Sequence, residues 1–288
     1  MSAKFGPAGN SDAFSAVHKS SLAAPQWIAE QGLDCYEYQC GKGVHVGEDT
    51  ARRVGENARK HGISLSLHAP YFINLANPDP DSLQKTIGYI TSACLVASQM
   101  GASLVVIHSG ALMKRTRREA LDTALRSLRE VIRTCDGQGF GHIALCPETM
   151  GKINQLGDLE EVLELCTLDE RLIPCIDFGH LYARSLGADD GAEAFGRMLD
   201  RVESVLGQSR ASVFHSHFSH IQFTPGGGEK CHRTFDDDDG YGPDWAPLAR
   251  AIARRGWSPT FICESAGTQA KDALTMKRIY QEVLTAQG

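Results

Sequence analysis

The chain has 288 residues, of which 42% are hydrophobic and 22% charged. These fractions exclude a disordered, collagenous or coiled-coil protein and are enough to fill a large core. With 35 Asp and Glu against 29 Lys and Arg, the formal charge is −6, so nucleic-acid binding would need a local basic patch or a metal cluster.

Short β-rich runs alternate with longer stretches of helical spacing. A weak run at Lys4–Pro7 comes first, followed by a helical pattern near Leu22–Gln31. Leu33–Tyr38 precedes a helix near Thr50–His61, and Ser64–Leu67 precedes one near Ser82–Met100. Ser103–Ile107 leads into Ala120–Ile132, where Ala120, Leu121, Ala124, Leu125, Leu128, Val131 and Ile132 share one helical face. Ile143–Cys146 precedes Leu159–Cys166, and Ile173–Ile176 precedes Ala192–Leu206. Ser212–Phe214 precedes Asp244–Arg255, and Thr260–Cys263 precedes a last helix near Ala270–Ala286.

Eight βα units in a chain of this size predict an α/β fold: one (β/α)8 TIM barrel domain spanning residues 1–288, rather than an open doubly wound sheet. No GxGxxG follows the first run, so no dinucleotide cofactor is expected. The longest irregular stretch, Thr224–Pro243, is rich in Gly and Asp and is expected to be a functional loop. No apolar run approaches the roughly 18 residues of a membrane span, and Met1–Phe14 lacks the apolar segment of a secretory signal. The nine Cys include no CxxC pair, and Cys94, Cys146, Cys175 and Cys263 sit in apolar runs as buried thiols. The expectation is a reduced, cytoplasmic setting with no membrane partner.

The informative feature is what closes each run. His68, His108, Glu148, Asp177, His217 and Glu264 end the third to eighth runs, and His180 follows Asp177 by three residues. In a closed barrel the C-terminal strand ends converge on one mouth. Imidazole and carboxylate donors brought together there suit Zn, Mn or Fe, and a carboxylate can bridge two ions. Taken singly, each residue has an ordinary explanation, a hydrogen-bonded rim histidine or a helix N-cap aspartate. Together, six unpaired polar groups at one barrel end would be costly without a cation. His215 faces the same side as His217, one layer deeper, and is the alternative ligand. Glu37 points inward from the second run, either as a satisfied core carboxylate or as a substrate contact. His18, His45, His61 and His142 are expected on the surface.

Five segments carry a resemblance: His68-Ala69-Pro70-Tyr71-Phe72-Ile73-Asn74-Leu75, Val106-Ile107-His108-Ser109-Gly110, Pro147-Glu148-Thr149, Ile176-Asp177-Phe178-Gly179-His180 and Cys263-Glu264-Ser265. In order, and one per strand, the set resembles the signature segments of the endonuclease IV family of AP endonucleases. The resemblance implies a TIM barrel with a cluster of three metal ions, usually zinc, that cuts DNA on the 5′ side of an abasic site. The broader superfamily also holds metal-dependent sugar isomerases and epimerases. Carried onto this sequence, the resemblance implies that His68 and His108 hold one metal and that Glu148 bridges it to a second. Asp177, His217 and Glu264 would complete the second site, and His180 and His232 would hold the third. It implies catalytic roles for Glu148 and Glu264, and substrate contacts by Tyr71 and Asn74.

The sequence also departs from that pattern. Lys230 stands where the family supplies an Asp to the third site, and an ammonium repels a cation. Either Glu229 or a carboxylate of the Asp236–Asp239 run takes its place, or the third ion is absent and Lys230 meets a substrate phosphate. The first strand lacks the family's His, and Gln39–Gly43 does not match its DNA-penetrating loop. Lys42, Lys152, Arg184 and Arg233 are the cations expected near the mouth to meet a phosphate backbone. The expected activity is hydrolysis of damaged duplex DNA with two or three zinc ions, Mn or Fe being the substitutes. The runner-up is a sugar or sugar-phosphate isomerase or epimerase that uses only Glu148, Asp177, His217 and Glu264.

Overall fold

The computed structural model describes residues 2–287. Its strands, in chain order, are β1 (Lys4–Pro7), β2 (Cys35–Gln39), β3 (Ser64–His68), β4 (Leu104–His108), β5 (Ala144–Glu148), β6 (Cys175–Asp177), β7 (His215–Phe218), β8 (His220–Thr224), β9 (Gly228–Arg233) and β10 (Thr260–Cys263). Eight of them form one parallel sheet in the order β1-β10-β7-β6-β5-β4-β3-β2. The outer two, β1 and β2, then meet: Asp34 N–H donates to the Phe5 carbonyl at 2.8 Å, Gly9 N–H donates to the Glu37 carbonyl at 2.9 Å, and Ala8 bridges Glu37 in parallel. The sheet is thereby rolled into a nearly closed barrel with helices outside it, as the alternating pattern predicts.

The helices begin and end where local chemistry directs. Helix Arg117–Gly137 starts at Thr116, whose side chain accepts from Glu119 N–H while the Glu119 carboxylate accepts from Thr116 N–H. Asp158 and Glu161 make the same reciprocal cap on helix Leu159–Cys166. Gly62, Gly101 and Gly256 end three others in the left-handed conformation that a glycine adopts without strain. Apolar faces such as Ala120, Leu121, Ala124, Leu128 and Val131 pack inward, and the main core lies between the helix layer and the barrel wall. Among the described residues no helix is long and apolar enough to cross a membrane, and all nine cysteines are free, eight of them buried.

Three expectations need correction. The seventh strand is His215–Phe218 rather than Ser212–Phe214, because its inward positions carry imidazoles that an apolar pattern does not count. A short helix, Phe178–Arg184, starts directly after β6, with Asp177 as its cap. Thr224–Pro243 is not irregular throughout: β9 lies within it and pairs antiparallel with β8 across a Gly-rich turn. A register shift in that hairpin breaks the alternation by which a strand is read from sequence.

Closure of the barrel leaves no room at Gly6, where an added Cβ would lie 1.8 Å from the Cys35 carbonyl oxygen. Gly6→Ala is therefore expected to lower stability by about 1–3 kcal/mol. On the exposed face of helix Pro80–Met100, an added Cβ at Gly88 meets nothing within 4 Å, so Gly88→Ala should raise stability by up to about 1 kcal/mol. Urea unfolding of the two variants measures both effects, and unchanged midpoints would contradict the tight β1–β2 approach.

Candidate metal centre

Parallel register brings the strand ends level. His108 pairs with Glu148 across β4–β5, and Asp177 pairs with His217 across β6–β7. Glu148 is only 1% exposed and occupies the centre. Its Oε2 lies 3.2 Å from His68 Nε2 and 3.3 Å from His108 Nε2. Its Oε1 lies 3.0 Å from His217 Nδ1 and 3.5 Å from His180 Nδ1. Glu264 Oε2 approaches His217 Nδ1 at 3.5 Å from the far side.

Most of these imidazoles are aimed in the same way. His68 Nδ1 is 2.7 Å from the Ala69 carbonyl, His108 Nδ1 is 3.0 Å from that of Tyr71, and His180 Nδ1 is 2.9 Å from that of Thr149. A carbonyl can only accept, so Nδ1 carries the proton and Nε2 is left free as a donor atom. His217 is turned the other way, with Nε2 on Glu37 at 2.9 Å and Nδ1 at the mouth. His215 sits deeper, 2.8 Å from Glu37. Glu37 is thus a buried carboxylate beneath the centre and does not line the mouth cavity.

The third group of donors depends on a bulge. Phe223 pairs with Glu229, but the next residue back, Gln222, pairs with Cys231, so Lys230 is the extra residue in β9. Three residues apart, Glu229 and His232 would face opposite ways on a regular strand. The bulge removes one step and returns both to the cavity lining. Glu229 Oε2 lies 3.5 Å from His180 Nε2, and the His180 and His232 rings are 5.6 Å apart. Gly151 permits this packing, since a Cβ there would meet Glu229 Cβ at 2.6 Å. Lys230 is exposed and does not line the cavity. The Asp236–Asp239 run is tied up elsewhere: Asp236 pairs with Lys271, and Asp237 and Asp239 pair with Arg233.

The donor chemistry fits divalent cations. One donor atom each from His68, Glu148 and His217 lie within 4.8 Å of one another, as do those of Glu148, Asp177, His217 and Glu264, and those of His180, His232 and Glu264. Asp177 Oδ1 accepts from His180 N–H at 2.8 Å, whereas its buried Oδ2 makes no hydrogen bond. His180 Nδ1 comes within 3.2 Å of that oxygen but is aligned on the Thr149 carbonyl instead. An orphaned buried carboxylate oxygen among other carboxylates is the environment a cation stabilises. Burial opposes the charge on Glu148, yet the imidazoles of His217, His108 and His68 outweigh it and hold its carboxyl well below the usual range. Burial, joined by the charges of Glu264 and Glu148 and opposed by His180 and His217, pushes the Asp177 carboxyl up. Burial would lower His180, but Asp177, Glu229 and Glu148 overcome it and raise the imidazole to about 9.

The cavity holds about 360 Å³ and is also lined by Tyr71, Met150, Lys152 and Gln155. Tyr71 stacks on His108, with centroids 5.6 Å apart, and donates its hydroxyl to Gln39 at 2.9 Å. Asn74 Oδ1 accepts from Ala76 N–H and Ala111 N–H. Of the four expected cations, Lys152 lines this cavity and Lys42 lines a neighbouring cleft that shares Tyr71. Arg184 is spent on the carbonyls of Met150, Lys152 and Gln155, and Arg233 on the acidic run. Sequence reasoning offered Glu37 as a satisfied core carboxylate or a substrate contact but named none of its partners, which are Ser66 on the adjacent β3 and His215 and His217 far along the chain.

The sequence model of the xylose isomerase-like TIM barrel family matches residues 25–282. An uncharacterized protein of Methanocaldococcus jannaschii is 30% identical over 256 residues, covering 89% of this chain and 90% of that protein. A probable endonuclease 4 of Mycoplasma pneumoniae is 30% identical over 164 residues, 54% of each chain, so this chain spans about half of that protein's length. Among solved structures, a D-tagatose 3-epimerase-like protein shares the fold at a TM-score of 0.72 and 18% identity, covering 99% of both chains. With the family match extending over nearly all of the barrel, the chain belongs to the xylose isomerase-like TIM barrel family.

Proposed function

We propose that this protein is a zinc-dependent phosphodiesterase acting on damaged duplex DNA, cutting on the 5′ side of abasic sites. The observation that carries the reading is a further donor group beyond the quartet, His180 and His232 with Glu264, beside which the Lys230 bulge turns Glu229 to within 3.5 Å of His180. A sugar isomerase or epimerase needs only the Glu148, Asp177, His217 and Glu264 quartet. The relative named as a probable endonuclease 4 supports the same choice.

In this reading His68, His108 and Glu148 hold one ion, Glu148, Asp177, His217 and Glu264 a second, and His180, His232 and Glu229 a third. Bound divalent ions would supply Lewis acidity toward the phosphodiester and ready a water for attack at neutral pH. Glu264, partly open to the cavity, orients that water through its carboxylate. Lys152 offers a point charge to a phosphate oxygen. Burial, Glu264 and Glu148 push the Tyr71 hydroxyl up, so it stays protonated while its half-exposed ring packs against the substrate. Manganese or iron would satisfy the same donors in place of zinc.

The epimerase reading remains the second one because the fold matches a D-tagatose 3-epimerase-like protein along its whole length. A duplex carrying one tetrahydrofuran abasic analogue separates the two. Cleavage 5′ to the analogue, abolished by a chelator and restored by zinc, is the expected result. An intact duplex together with metal-dependent epimerisation of a ketose would replace the nuclease reading with the second.

Metal content tests the assignment of ligands. Glu148→Gln should lose most metal and activity together, since one neutralised carboxylate weakens two sites. Glu229→Ala should lose a single ion, and Lys230→Ala should lose none. Elemental analysis of the three variants decides, and an undiminished metal content in Glu229→Ala would remove the third site.

Binding should also depend on pH. His180 must shed its proton to bind a cation. With its pKa raised from 6.5 to about 9, zinc affinity should climb as pH rises toward about 9 and the competing proton is lost. The imidazolium of the metal-free chain runs the opposite way, since a raised folded pKa adds stability that is complete below 6.5 and lost as pH rises through about 9. Zinc titrations and thermal unfolding at pH 6, 7.5 and 9 measure the two trends, and affinity that is flat across this range would contradict the assignment.

A further inference from the structure

Glu37 is wholly buried on β2, on the floor of the mouth. Its Oε1 accepts from His217 Nε2 at 2.9 Å and from Gln39 Nε2 at 3.2 Å. Its Oε2 accepts from His215 Nε2 at 2.8 Å and from Ser66 Oγ at 2.9 Å. Four donors fill the acceptor sites of an ionised carboxylate, which has no proton to give back. The His217 nitrogen facing Glu37 must therefore carry a hydrogen, leaving Nδ1 as the nitrogen available to a cation. Nδ1 points between Glu148, at 3.0 Å, and Glu264, at 3.5 Å. His68, His108 and His180 are aimed by neutral backbone carbonyls and present Nε2, and His232 Nδ1 meets the Ser219 hydroxyl at 2.8 Å. Only His217 among them is aimed by a charge.

We propose that Glu37 is a positioning residue for the metal centre: it fixes the His217 ring with Nε2–H inward and Nδ1 outward, and strengthens Nδ1 as a ligand. This rests on the metal-dependent reading above. A carboxylate behind a ligating histidine orients the ring and raises its basicity, and losing such a partner typically costs about 10–100-fold in metal affinity. His215 and Ser66 hold the carboxylate itself in place, which explains why a second histidine lies one layer below the mouth.

The test compares zinc affinity, by competition with a chromophoric chelator, in the wild-type chain, Glu37→Gln and Glu37→Leu. Glu37→Leu removes the acceptor and should weaken zinc by about 10–100-fold. Glu37→Gln can keep its amide oxygen on His217 while its NH2 faces Ser66, with His215 switching tautomer, so most of the affinity should return. In ¹⁵N NMR of the zinc-loaded wild-type chain, His217 should show a protonated Nε2 and a metal-bound Nδ1. That spectrum needs no variant and decides the matter even if Glu37→Leu fails to fold. Zinc on Nε2 of His217, or folded variants that both bind as the wild type does, would overturn the positioning role alone. A wild-type chain that binds no divalent cation would overturn the metal-dependent reading and the positioning role with it.

Discussion

Glu148 keeps its negative charge at 1% exposure because four imidazoles from three other strands and one helix surround it within 3.5 Å. Desolvating a carboxylate costs several kcal/mol unless opposite charge or hydrogen bonds replace the lost water. This requirement dictates much of what lies around it. The imidazoles must be aimed, so the Ala69, Tyr71 and Thr149 carbonyls and the Glu37 carboxylate stand behind them. Asp177 and Glu264 bring more negative charge to the same place, and the orphaned oxygen of Asp177 marks where protein donors run out. An orphaned oxygen among clustered carboxylates is an arrangement that a cation would stabilise.

The constraint reaches down into the barrel. The layer beneath the mouth is polar where a barrel interior is usually filled by branched apolar side chains. Glu37, Ser66 and His215 meet there across β2, β3 and β7, all buried. Such a network is tolerable only when every member is satisfied, and the four donors to Glu37 meet that condition. The loops above are drawn into the same order. Gly151 lets Glu229 close on His180, and Arg184 straps the loop after β5 through three carbonyls.

One barrel fold can host different chemistries, which are set by the residues its sites carry. In this chain the strand ends alone supply the quartet of Glu148, Asp177, His217 and Glu264. The additional donors come from the helix after β6 and the hairpin after β7. That hairpin carries a one-residue bulge that recovers a carboxylate from the neighbouring position, Glu229, although Lys230 occupies the position a simple alignment would assign to it.

The order of the sequence alone determined the barrel and the convergence of its ligands. Alternating β and helical periods dictate parallel strands, parallel strands share one C-terminal end, and His68, His108, Glu148, Asp177, His217 and Glu264 each stand at such an end. These are local facts repeated eight times, so no knowledge of distant contacts is needed to read them. What remained hidden depends on pairing between segments far apart in the chain. The inward imidazoles of β7 displaced its boundary, because burial among polar partners leaves no apolar signature. Apart from His68, which is held by the carbonyl of the next residue, the rings are directed by acceptors that only folding brings near, Glu37 to His217 across 180 residues being the extreme case. Which residue of Gly228-Glu229-Lys230-Cys231-His232 faces the cavity was settled by the register of β8 against β9, since a bulge reverses the side on which every later side chain falls.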